Sequence, residues 1–153
     1  FMLALLNEPD FILHIADRGV RSIEQAKQYL RDGPLASYRE NGFGLWAVRP
    51  VGGGEPLGIC GLVKRAGLSD VDIGYGFLPA ARGRGLAHEA AVAVLGYAAG
   101  ELSLRRLVAI VAPANTPSRT LLEHLDFRHE SMVRLTPEAE ELCLYAWESA
   151  QNR

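Results

Sequence analysis

One stretch, SDVDIGYGFLPAARGRGLAHEAAVAVLGYAAGEL, constrains this chain more than any other. Its first third carries the β-branched and aromatic residues of a strand and ends at Pro79, where the missing N–H closes off any ladder. Its last two-thirds is rich in alanine and valine and reads as a long helix over residues 82–102, with Leu86, Ala90, Val94 and Ala98 recurring every four residues on the face expected to be buried. Between them, Arg82 and Arg84 alternate with Gly83 and Gly85. A helix this apolar must cover something, and a strand that feeds directly into it supplies the sheet.

The remaining periodicities agree with a layered sheet. FMLALLNEPDFILHI has helical spacing broken at Asn7-Glu8-Pro9-Asp10, which predicts two short helices. Ser22 ahead of IEQAKQYL, with Gln25 three residues on, predicts a capped helix over 22–31 that stops at Asp32-Gly33-Pro34. GLWAVRP and PLGICGLVKR flank GGGE as a hairpin, and RRLVAIVAP reads as a strand buried on both faces. A helix over 115–125, a strand over 127–134 and a last strand in CLYAWES complete the order αα, βββ, α, β, α, ββ. The fold class is α/β (α+β), one domain over 1–153, with helices on both faces of the sheet.

Composition excludes several classes of function. With 153 residues, 48% apolar and 22% charged, the chain suits a single core, and a net charge of −2 speaks against a generally basic nucleic-acid binder. Any anion site must therefore be local. Cys60 and Cys143 are the two cysteines, each among strand-like apolar neighbours, and buried reduced thiols are expected. Four scattered histidines without CxxC or HExxH support no metal site. The longest apolar run, residues 90–100, is far short of the ~18 residues of a membrane span. Without a basic segment ahead of a cleavage site, the cytoplasm is the expected compartment. The opening Phe1-Met2 is an unusual start, and a missing leader is expected.

The turn at 82–87 has the physics of a phosphate site, since glycines let successive amides approach a pyrophosphate where the helix dipole is positive. It matches neither a Walker motif nor GxGxxG. It does match [QR]xxGx[GA] at Arg82, Gly85 and Ala87, a pattern that about one chain in seven of this length carries by chance. Its surroundings raise that weight. DIGYGFLP stands before it, HEA after it, and VAPANTPSRTLLEHLDF follows the next strand, with Val111, Asn115, Ser118, Leu122 and Phe127 at the spacing V-x-x-x-N-x-x-S-x-x-x-L-x-x-x-G-F. Together these resemble the GNAT superfamily of N-acetyltransferases, in particular its RimJ/RimL-like branch. Asp126 occupies the glycine position of that pattern, where aspartate's tolerance of the left-handed region is expected to hold the turn. The resemblance spans nearly the whole chain, with the family's first strand expected to be absent.

That resemblance implies acetyl-CoA as co-substrate and a mostly antiparallel mixed sheet. Main-chain groups at Phe77 and Leu78 would pair with the pantetheine arm like an added strand. Amides of Gly83, Arg84, Gly85, Leu86 and Ala87 would hold the pyrophosphate, with Arg82 adding charge and His88 nearby. Asn115 would bind the cofactor arm or serve only as a helix cap, Ser118 would stand near the sulfur, and Arg119 would reach the nucleotide phosphate, with a solvated surface side chain the alternative for His88 and Arg119. The tyrosine that some superfamily members use as acid falls at Leu122, which leaves Ser118 as the hydroxyl candidate. Asp72, or Asp70 on the same strand face, would accept the amine's proton through water, with a charge at a loop edge the alternative for both.

The implied reaction is direct transfer of acetyl to a primary amine, either a protein α-amine or a small molecule. The rival reading is a non-catalytic acyl-CoA-binding sensor or scaffold. Residues 9–22 and 33–41, which would line the acceptor pocket, carry His14, Asp17, Arg18, Arg21, Tyr38 and Arg39 and do not select an acceptor. Neither nucleic acid nor membrane is an expected partner, and Tyr145 and Trp147 on the last strand fit a dimer edge or a monomer's core equally.

Overall fold

A computed structural model describes residues 1–150. Six strands form one sheet in the order β1-β2-β3-β4-β6-β5: β1 Leu45–Val48, β2 Gly58–Val63, β3 Asp72–Phe77, β4 Arg106–Val111, β5 Arg128–Val133 and β6 Leu142–Glu148. Every neighbouring pair is antiparallel except β3 and β4. The expected mixed, mostly antiparallel sheet is therefore the observed one. Parallel neighbours require a crossover, and the long helix α5, Leu86–Gly100, makes it.

The two faces carry different helices. Ala91, Val94, Leu95 and Ala98 of α5 pack with Leu62, Ile73, Leu107 and Tyr145, and Leu122 of the later helix α6, Thr116–His124, joins the same core. On the opposite face α1, Met2–Leu6, and α2, Pro9–His14, bury Leu5, Leu6 and Phe11 against Ile59. Ala26 of α3, Ile23–Leu30, belongs to that second cluster, and Ser22 caps this helix by accepting from Gln25 N–H at 3.2 Å.

Three local expectations change. Pro34 does not stop the helical run, because Arg31–Leu35 widens into a π turn that leads into α4, Ala36–Asn41, ending at left-handed Gly42. The wider turn removes the clash between a proline ring and the carbonyl four residues back. The long helix starts at Leu86 rather than residue 82 and ends at Gly100. Its buried stripe is 91/94/95/98, with Leu86 and Ala90 half-buried, because a strict four-residue repeat drifts by about 40° per step around a 3.6-residue helix. Asp126 does adopt the left-handed region, at φ 67°. Both cysteines are buried free thiols, and burial pushes Cys60 up to about 12.

Candidate active site

The site originates in a parting of the sheet. β3 and β4 share one bridge, Asp72 with Val108, where Val108 N–H donates to Val71 O at 3.0 Å. Beyond it the two strands run on to Phe77 and Val111 without another pair. Leu78 N–H donates to Leu57 O at 2.9 Å, so alternation along the antiparallel ladder commits the even-numbered residues of β3 to β2 and turns the main chain of Tyr75 and Phe77 toward the gap. This corrects one expectation: the gap receives the Phe77 N–H, whereas the Leu78 N–H is already spent on β2. The Phe77 carbonyl accepts from Arg82 Nη2 at 3.0 Å.

On one side of the gap a cleft of about 400 Å³ is bordered by Phe77, Arg82, Gly83, Gly85, Ala87 and His88. Gly83 and Gly85 have φ of 71° and 73°, the left-handed region, which delays the helix until Leu86. Gly85 is the N-cap and offers no side chain to close the helix end. The first intrahelical bond there runs from Glu89 N–H to Gly85 O, so the amides of Leu86, Ala87 and His88 lack intrahelical acceptors. A Cβ built on Gly83 or Gly85 would meet nothing within 4 Å. Unsatisfied first-turn amides at the positive end of a helix, beside open space, fit a pyrophosphate.

The side chains around this turn behave differently from its backbone. Arg82 pairs with Glu8 and Asp10 at 2.6 Å each, so its charge is balanced from α2. Glu8 also caps α2 through Asp10 N–H and Phe11 N–H. Arg82 is thus the tie between the glycine turn and the opposite helical layer. Arg84 is exposed and does not border the cleft.

A second cleft of about 300 Å³ lies on the α2 and α3 side and meets the first at Phe11, His14, Ile15, Tyr75, Asn115 and Ser118. Asp72 lies within it and is 1% exposed. Its Oδ2 accepts from Arg65 Nη2 and Nε at 3.3 and 3.4 Å, and its Oδ1 has no hydrogen-bond partner. Burial outweighs the Arg65 charge and holds the carboxyl at about 6. Asp70 is drawn away by Arg106, at 3.1 Å, and does not border the cleft.

At the junction, Tyr75 and Ser118 hydroxyls lie 2.7 Å apart, and burial lifts the tyrosine to about 12. Asn115 Oδ1 accepts from Ser118 N–H at 3.3 Å, so the capping role is realised while the residue still faces both clefts. Arg119 turns elsewhere, donating to Tyr145 Oη at 3.1 Å and Pro113 O at 3.0 Å, and borders neither cleft. Leu122 is buried at 1%. Of the acceptor-side residues, His14 and Arg18 border the second cleft, Asp17 and Arg21 pair with each other at 2.7 Å, and Tyr38 donates to Leu45 O.

Sequence reasoning missed Tyr75 and Arg65. Period-two alternation in DIGYGF places Tyr75 on the face opposite Asp72, and only the gap between β3 and β4 lets both border one cleft. Among the described residues, no group of three His, Cys, Asp or Glu is placed to hold a metal ion, and no helix is long and apolar enough to cross a membrane.

Known proteins resemble this chain in sequence and in fold. Residues 1–128 match the acetyltransferase (GNAT) domain family. The chain is 28% identical over 134 residues to the uncharacterized protein YkkB of Bacillus subtilis, covering 85% of this chain and 75% of that one. Over 71 residues, 46% of this chain and 42% of the relative, it is 34% identical to the uncharacterized N-acetyltransferase YnaD of the same species. An acetyltransferase of Agrobacterium tumefaciens superposes with a TM-score of 0.77 at 23% identity, covering 97% and 83% of the two chains. Mycobacterium smegmatis RimJ, in complex with CoA-disulfide, gives a TM-score of 0.70 at 24% identity over 90% and 67%. The parted sheet and the glycine turn ahead of its crossover helix thus have a family, and the chain belongs to the GNAT N-acetyltransferases.

Proposed function

We propose that this enzyme transfers acetyl from acetyl-CoA directly to a primary amine, with both substrates bound at once. The observation that carries the reading is the meeting of two clefts at Tyr75 and Ser118, one bordered by a backbone anion site and the other by a buried carboxylate. Holding two reactants in line across such a junction supplies much of the acceleration, and no covalent intermediate is needed. The donor supplies an activated acyl group.

The chain's own residues do the rest. The Phe77 N–H and the amides around Gly83–Ala87 would bind the arm and the diphosphate, with His88 beside them; Arg82 would act by fixing the turn against α2. Ser118, held by the Asn115 cap and by Tyr75, would pass a proton to the departing sulfur while taking the phenol proton of Tyr75 in turn. Tyr75, raised to about 12, is protonated at pH 7 and still more acidic than an alkyl hydroxyl, so it supplies the proton that Ser118 relays. Asp72 would take the amine's proton: at about 6 it is ionised at pH 7 yet more basic than an ordinary carboxylate. An α-amine of pKa near 8 is about one-tenth neutral at that pH, against about one in 2500 for a lysine, so an α-amine asks less of this base.

Mass-spectrometric detection of acetylated products from a mixed amine and peptide library tests the proposal. Acetylated product with stoichiometric CoA release is the expected result. Tight acetyl-CoA binding without transfer to any acceptor would replace it with the sensor reading.

A further inference from the structure

The second cleft selects among amines by charge. We infer that the acceptor carries a carboxylate close to its amine, as a free amino acid with an apolar side chain does, and that Arg18 with Arg65 recognises it. This rests on the acetyl-transfer reading above.

The cleft has two ends. One is the junction with the glycine-turn cleft; at the other, Arg18, Tyr29, Leu45, Val63 and Arg65 also border a separate hollow under Gly33 and Pro34. The two guanidinium groups therefore stand at the mouth away from the acyl donor. Arg18 is exposed and, among the described residues, makes no hydrogen bond or ion pair. Every other arginine bordering the two clefts is engaged: Arg82 by two carboxylates, and Arg65 by Asp72. The Arg65 engagement is loose. Its 3.3 and 3.4 Å contacts exceed the 2.7–2.9 Å of a good charge-assisted bond, so its fork is not saturated.

Asp72 supplies the complementary half. Its unpartnered Oδ1 is buried, 1% exposed, in the same cleft, and an ammonium seated there would satisfy it. Because Arg65 touches the other oxygen of the same carboxylate, a group held by Arg65 lies only a few bonds from an amine held by Asp72. That spacing is the one between the amine and carboxylate of an amino acid. The walls include the apolar Leu45, Ile59 and Val63, and about 300 Å³ is at the small end for a ligand pocket. A polycationic amine meets Arg18 and Arg65 in the cleft, while Asp32, Glu40 and Lys64 border only the hollow outside it. A peptide α-amine leaves a neutral amide where the arginines expect an anion, and a desolvated charge without its partner costs binding.

Initial rates with leucine, leucinamide, 3-methylbutylamine and spermidine, each corrected for its neutral-amine fraction, test this. Leucine should exceed 3-methylbutylamine and leucinamide by about tenfold in kcat/KM, the preference lying in KM. Arg18→Gln should shrink that preference toward unity, while Arg18→Lys keeps part of it. Equal or better use of leucinamide or spermidine overturns the inference and leaves acetyl transfer standing, as does an unchanged preference in Arg18→Gln. Failure of all four amines, and of a peptide panel, while acetyl-CoA binds, overturns both together.

Discussion

The two clefts that meet at Tyr75 and Ser118 are built from different materials. The glycine-turn side is made of backbone: first-turn amides of α5, two left-handed glycines and a strand edge, with Arg82 tied off by Glu8 and Asp10. The side proposed for the acceptor is made of side chains contributed by distant segments, with Asp72 from β3, Arg65 beyond β2, and His14 and Arg18 from α2 and its following loop. Backbone sites recognise what is common to all ligands of a class, and the one proposed here would recognise a diphosphate. Side-chain sites recognise what distinguishes one ligand from another. The difference means that one cleft is sensitive to conformation and the other to charge.

The sharpest way to break that contrast is at Asp72. Asp72→Asn should lower turnover about a hundredfold while acetyl-CoA affinity, measured by calorimetry, stays within twofold. Wild-type activity should fall as pH drops through about 6, and the variant should lack that limb. Stability runs the other way. The folded carboxyl keeps a proton that the unfolded chain releases near pH 4, so this group's contribution is full below pH 4, declines between pH 4 and about 6, and is lost above. Asp72→Asn should therefore melt a few degrees higher than wild type at pH 8, seen by calorimetric scans at pH 5 and 8. Equal turnover would remove Asp72 from the chemistry.

The complementary break is conformational. Gly85→Val places a β-branched residue at φ 73°, where no neighbouring atom objects, so the cost is in the backbone alone. Acetyl-CoA affinity should fall about thirtyfold by calorimetry, with acceptor KM extrapolated to saturating donor unchanged. A bound donor with wild-type affinity would show that the turn is not the diphosphate site. At the junction, Ser118→Ala and Tyr75→Phe should each lower kcat about tenfold without changing donor affinity, since either change breaks the relay. Unchanged turnover in Ser118→Ala would exclude the hydroxyl. Smallest of all, Arg119→Ala should leave acetyl-CoA affinity within twofold, because that guanidinium is occupied by Tyr145 and Pro113. A larger loss would return Arg119 to the phosphate.

Legibility in the sequence followed the same division. Strand, turn and crossover helix are consecutive, so their order, the glycines at 83 and 85 and the cap at Asn115 could all be read from spacing. The boundaries that slipped did so for local reasons: left-handed glycines delayed α5, and a π turn carried the helical run past Pro34. Arg82 and Arg119 are phosphate candidates in a linear motif, which records residue type and not what lies across from it. Glu8 and Asp10, more than seventy residues away, claim one, and Tyr145 the other.

Periodicity and turn chemistry alone determined a sheet with helices on both faces and a glycine turn at the start of the long helix, because those properties depend on neighbours within a few residues. Tertiary structure decided the rest. Whether β3 and β4 stay paired or part after Asp72, which carboxylate is buried, and which arginine at the mouth has no partner among the described residues depend on contacts between segments far apart in the chain, and no local pattern encodes them.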